Sequence, residues 1–129
     1  MLPRGYGTII YSGASAALRG RAAFAAFAAA KAGLRMVSQS FAREFGPRGI
    51  HVAHVIIDRS INGDKIFRKV PDIGQQKGPG GLLDPDAIAD SFGIYIRNIV
   101  LLGRRSSMCV HMQKPFEPRQ VRFIASVAS

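Results

Sequence analysis

Two apolar, strand-like runs flank one long helical pattern in this chain. Gly7–Ser12 (GTIIYS) is short and rich in β-formers, which predicts a buried strand. Small residues from Gly13 to Arg21 then read as a loop. A helix is predicted from Ala22 to Phe45, closed by Gly46 and Pro47. Along it Phe24, Phe27, Lys31, Leu34, Ser38, Phe41 and Phe45 recur at steps of three and four, making one stripe. The opposite side carries Ala22, Ala25, Ala29, Ala32 and Met36, small enough for a neighbouring helix or sheet to approach closely. Such a helix belongs inside a layered structure or at a subunit interface.

Ile50–Ile57 (IHVAHVII) is almost continuously apolar, as expected of a parallel strand covered on both faces. Strand, helix and strand together predict a βαβ unit. Asp58–Leu83 is polar and glycine-rich and reads as a mobile excursion. Asp84-Pro85-Asp86 then starts a helix: Asp84 caps, Pro85 suits the first position and Asp86 favours the dipole. Ile88, Phe92, Tyr95 and Ile99 supply its apolar face to about Leu102. The pattern weakens after Gly103. Met108–Met112 reads as a short strand and Phe123–Val127 as a weaker one, in a stretch with Arg104, Arg105, Lys114, Arg119 and Arg122 against Glu117. The division expected is a domain over 1–103 and a divergent basic tail over 104–129.

At 129 residues and 47% hydrophobic content the chain is sized for one globular domain. No apolar run reaches the roughly 20 residues a membrane span needs, and Arg4 and Gly5 interrupt any signal-peptide core. Membrane insertion is therefore not expected. A lone cysteine, Cys109, makes neither an internal disulfide nor a zinc cluster, so a reducing, cytoplasmic setting is the expectation. His51 and His54 lie three apart in a strand, on opposite faces, so no metal is expected there. The net charge of +10 raises the question of nucleic acid. The basic residues are scattered and no nucleic-acid motif interleaves aromatics with them, so a solvated surface with an anionic ligand such as a dinucleotide is the better reading.

GTIIYSGASAALRG, followed by FAAFAAAKAGLRMVSQSFAREFGPRGIHVAHVII, closely resembles the short-chain dehydrogenase/reductase family from its fifth strand through the active-site helix to its sixth strand. LLDPDAIADSF is similar to the family's late helix. The resemblance covers roughly residues 5 to 96. It implies an α/β fold, the C-terminal half of a Rossmann-like, doubly wound parallel sheet, and NAD- or NADP-linked hydride transfer on a small alcohol or carbonyl.

In that family a Tyr, and a Lys four residues later, share a helix face, and a Ser lies thirteen before the Tyr. The Tyr hydroxyl moves a proton at the carbinol oxygen, the ammonium lowers the phenol's pKa and holds the nicotinamide ribose, and the Ser fixes the substrate carbonyl. Here Lys31 matches the lysine, but Phe27 stands at the tyrosine position and Ala14 at the serine position. Ser12 and Ser15 flank the latter, so Lys31, Ser15 and Ser12 are the catalytic candidates. Where the family has a Pro-Gly turn against the nicotinamide, this chain has Asp58 and Arg59, followed by Ser60 and Ile61. Lys31, Asp58, Ser60 and Ile61 are the cofactor-binding candidates, and an arginine at 59 either clashes with the cofactor or meets a phosphate. No glycine-rich pyrophosphate turn follows a strand in this sequence. The resemblance therefore implies a truncated gene product or a fragment, impaired or inactive alone.

The alternative expectation is a non-enzymatic α/β module that self-associates or pairs with a full-length dehydrogenase. Its contacts would be the Ala-rich helix 22–45 or the edge strand 7–12.

Overall fold

The computed structural model describes residues 1–102, 108–112 and 122–124, with side chains described through residue 98. Four strands form one sheet in the order β1-β2-β3-β4: Gly7–Ala14, Ile50–Ile57, Met108–Met112 and Arg122–Ile124. Strands β1 and β2 are parallel over their full lengths, from Gly7 opposite Ile50 to Ala14 opposite Ile57. Strand β3 adds parallel to β2, with Ala53 opposite Met108, and β4 returns antiparallel to β3, with Cys109 opposite Ile124. The rest of the basic tail, and the side chains of Ile99, Cys109 and His111, lie outside the described residues.

The central position of β2 explains its composition. All eight of its residues are buried, so neither face has room for a charged side chain. Each fully buried Val or Ile there contributes about 1.5–3 kcal/mol of transfer free energy. The two-residue period of the strand sorts them between two layers. Ala53, Val55 and Ile57 pack with Leu83 and Tyr95, joined by Ile10, Ile88 and Phe92. Ile50 and Val52 pack with Ala42, joined by Ile9, Tyr11, Phe41 and Phe45.

The first layer is closed by helix α4, Pro85–Leu102. Its start follows the sequence: Pro85 opens it, and the Asp84 carboxylate accepts a hydrogen bond from the Asp86 amide at 3.0 Å. The second layer is closed by helix α1, Ala25–Phe45, which crosses from β1 to β2. It begins three residues later than the apolar pattern predicts, because Ala23 has a φ of 64° and breaks the helical path just before it. Only its later half seats on the sheet. Ser38 and Ala42 are buried there, Tyr11 meets Phe41 at 6.4 Å and Phe41 meets Phe45 at 5.2 Å between ring centroids.

Gly49 closes the turn into β2 with a φ of 82°, and a Cβ there would collide with the Gly5 carbonyl, so glycine is required twice over. Two expectations need correction. Strand β1 runs on to Ala14, and a 3-10 turn over Ser15–Ala17 occupies the start of the predicted loop. The excursion after β2 holds two short helices, α2 over Asp64–Lys69 and α3 over Ile73–Lys77. A bridge between Ile61 and Leu83, with Ile73 and Leu83 buried, ties its two ends together.

Candidate functional site

Ala14 and Ile57 are the last residues of β1 and β2, and both line one cleft of about 590 Å³. A cavity beyond the carboxyl ends of adjacent parallel strands is where open α/β sheets bind ligands, because the loops there diverge and leave backbone groups uncovered. Four sequence candidates converge on it: Ser15 from the 3-10 turn, Phe27 from α1, and Asp58 and Ser60 from the segment after β2. Ile61 does not join them. It pairs with Leu83 and is 41% exposed.

Lys31 stands one helical turn beyond Phe27. Its ammonium donates a hydrogen bond to the Ser12 carbonyl oxygen at 3.0 Å and lies 5.8 Å from the Phe27 ring centroid. The helix thus delivers the lysine to the carboxyl half of β1, next to the Phe27 ring that lines the cleft. Ser12 contributes its backbone carbonyl to this contact rather than the hydroxyl that the sequence singles out. Neither of the nearby tyrosines lines the cleft. Tyr11 packs beside Phe41, and Tyr6, 64% exposed, precedes the other end of β1. Among the described residues the hydroxyl-bearing side chains that line the cleft are Ser15 and Ser60, neither of which is an effective acid near neutral pH.

Electrostatically the cleft is one-sided. Among the described residues Arg19, Arg21, Arg59 and Lys77 line it against a single carboxylate, Asp58, whose Oδ1 is 3.6 Å from Arg19 Nη2. In the sequence Arg59 stands out as a residue that could meet a phosphate, whereas Arg19, Arg21 and Lys77 read as scattered surface charge. They are far apart in the chain, and only the folding of two connections, β1 to α1 and β2 to α4, around the strand ends collects them.

Behind this cleft a second set of basic groups sits under α1. His54 is 4% exposed, and its ring fills the space over Gly13, where a Cβ would collide with it. Both ring nitrogens of His54, and Nε of Arg35, are buried without a hydrogen-bond partner among the described residues. Burial first, and then the Arg35 and Lys31 charges, push the His54 pKa below its ordinary value, so the imidazole stays neutral. His51 faces the opposite layer, as its odd spacing requires, and meets the Tyr95 hydroxyl at 3.1 Å through Nε2. Burial lowers its pKa too. Among the described residues no group of His, Cys, Asp and Glu is arranged to hold a metal, and no helix is long and apolar enough to cross a membrane.

Parallel strands joined by a crossover helix, with a cleft beyond their carboxyl ends, define a partial Rossmann-like α/β domain. The short chain dehydrogenase family pattern matches residues 1–57, and over this part the chain is similar to that family. Solved structures share the arrangement. A gluconate 5-dehydrogenase from Burkholderia cenocepacia J2315, in complex with NADP and tartrate, aligns with a TM-score of 0.64 at 18% identity, over 85% of this chain and 45% of that one. A putative NAD(P) dependent gluconate 5-dehydrogenase from Beutenbergia cavernae, with bound NADP, gives 0.55 at 20% identity over 68% and 37%. A short-chain dehydrogenase from Rhodopseudomonas palustris is 43% identical over 64% of this chain and 37% of its own, with a TM-score of 0.43. The chain spans less than half the length of each. A search of curated proteins gave no match.

Proposed function

We propose that the cleft is the nicotinamide and substrate end of an NAD- or NADP-linked oxidoreductase site, competent to bind but impaired in turnover by Phe27. The observation that carries this reading is the placement of Lys31, hydrogen-bonded to the Ser12 carbonyl at 3.0 Å beside a cleft that Phe27 lines. The residues fit a nicotinamide nucleotide as a ligand. Lys31 would hold the ribose, Ser15 the substrate oxygen, and Asp58 and Ser60 the carboxamide side. When bound, the cofactor supplies or accepts a hydride.

The residues do not fit the accompanying proton transfer. That step needs a titratable hydroxyl beside the ammonium, and a phenyl ring at 27 holds and moves no proton. In this reading residues 1–103 form the functional unit, 104–129 are an appended basic segment, and the lone cysteine agrees with a reducing cytoplasm.

The chain has no tryptophan, so the emission of NADH and NADPH can be followed without protein background. Saturable binding by the full chain, weakened at least about tenfold by Lys31→Met through loss of charge-assisted contacts, is expected. Absence of binding, or equal binding by Lys31→Met, would overturn the reading. A second reading, a module that pairs with itself or with a longer relative, draws support from the exposure of Phe27, Met36 and Val37 on α1 and of Phe24 at its N-cap, and from the terminal position of β1 in the sheet. Sedimentation across concentration separates the two, because a persistent monomer contradicts self-pairing.

A further inference from the structure

The cationic rim of the cleft exceeds what a small neutral alcohol would need. Arg19 and Arg21 come from the connection between β1 and α1, Arg59 from the segment after β2, and Lys77 from the end of α3. All four are exposed side chains, and among the described residues Asp58 is the one carboxylate that lines the cleft with them. Like charges gathered on one concave wall repel each other, and the wall focuses their field on whatever enters. A ligand that brings two negative charges relieves that repulsion, whereas a neutral polyol leaves it in place. Guanidinium groups match phosphoryl oxygens in a two-pronged geometry, and Ser15 and Ser60 add hydroxyl donors to the same wall.

We propose that this rim is an oxyanion subsite for the substrate, and that the substrate class is phosphate monoesters of small polyols or hydroxy-carbonyl compounds. The inference rests on the preceding reading for one point, that Lys31 serves the nicotinamide ribose. Lys31 is not among the residues that line the cleft, so the rim cations are a separate set. Phosphate also occurs in the pyrophosphate of a dinucleotide, and the two sources make different predictions.

Calorimetric titration of the full chain with glycerol 3-phosphate, glycerol and glycerate, each with and without saturating NADH, tests the proposal. Glycerol 3-phosphate should bind in a salt-sensitive manner, while glycerol gives no heat and glycerate binds at least about tenfold more weakly. Arg59→Ala, Arg21→Ala and Lys77→Ala should each weaken the phosphate ester by roughly tenfold. Arg48→Ala, whose guanidinium lies against Phe45 at the far end of the helix, should leave it unchanged. Retention of ester binding in the presence of NADH supports a substrate subsite. Competition between them, with the arginine variants weakening NADH as much as the ester, assigns the cations to the dinucleotide pyrophosphate and overturns the proposal. Equal binding of glycerol or glycerate overturns it as well. If NADH binds and the ester does not, the subsite fails and the nicotinamide reading stands. If the ester binds and NADH does not, the subsite stands and the nicotinamide reading falls.

Discussion

The two halves of helix α1 are built from similar residues and meet different surroundings. In the later half, Ser38 and Ala42 are buried and Phe41 and Phe45 pack on Ile50 and Val52. In the earlier half Phe27 is 46% exposed, Phe24 at the N-cap just before it is 53% exposed, and the alanines from 25 to 30 are largely in solvent. The stripe of apolar positions runs through both. What changes is the sheet beneath it, because the helix overhangs the strand ends and its first turns border the cleft instead of the core. Apolar side chains that the fold leaves uncovered at the carboxyl ends of the strands form the wall of the cleft, whereas the same residue types over the sheet hold the layers together.

The sharpest way to break this contrast is to place one charge in each half. Ala42→Asp buries an unpaired carboxylate and is expected to cost about 3–5 kcal/mol of stability. Ala26→Asp sits on an exposed position in the first turn, where the helix dipole favours an acid, and should stay within about 0.5 kcal/mol of the parent. Denaturant midpoints of both variants check this. Equal losses would contradict the division of the helix.

A smaller effect sharpens the contrast from the buried side. His54 is held neutral beneath α1 by burial and by Arg35 and Lys31, so its folded pKa lies below the ordinary 6.5. The unfolded chain then binds the extra proton first as pH falls. The stability associated with a neutral His54 is fully present above 6.5 and is lost as pH drops from there through the folded pKa. His51 adds to the same trend through its own burial. Removing the titrating group with His54→Gln should make the acid-side slope of stability against pH shallower. An unchanged slope would mean that His54 is solvated.

Much of this architecture was legible because it rests on local rules. Strand β2 matches its apolar run from Ile50 to Ile57, and the Asp84-Pro85 start of α4 follows from capping chemistry. The opposite-facing histidines follow from strand periodicity. The Lys31 position was read from motif spacing, and its proximity to Phe27 from helical geometry. What escaped depends on contacts between distant segments. The short helices α2 and α3 lack a strong period, and their loop is fastened by Ile61 and Leu83, residues with no sequence signal for pairing. The cationic rim is likewise a product of two connections meeting. The engagement of the Ser12 carbonyl could not be foreseen, since side-chain chemistry draws attention to its hydroxyl. The exposure of the early helix stripe was missed because periodicity marks a face without saying what covers it.

The most direct test concerns the pair formed by residue 27 and Lys31. A phenol installed by Phe27→Tyr would lie beside an ammonium that already sits 5.8 Å from the ring centroid. Its ionisation can be followed by ultraviolet difference absorbance against the parent chain. The account predicts a pKa about one unit below the ordinary tyrosine value of roughly 10, with the shift abolished when Lys31→Met is added. A phenol that titrates at or above its ordinary value, indifferent to Lys31, would contradict the claim that these two positions retain the geometry of a proton-transfer site.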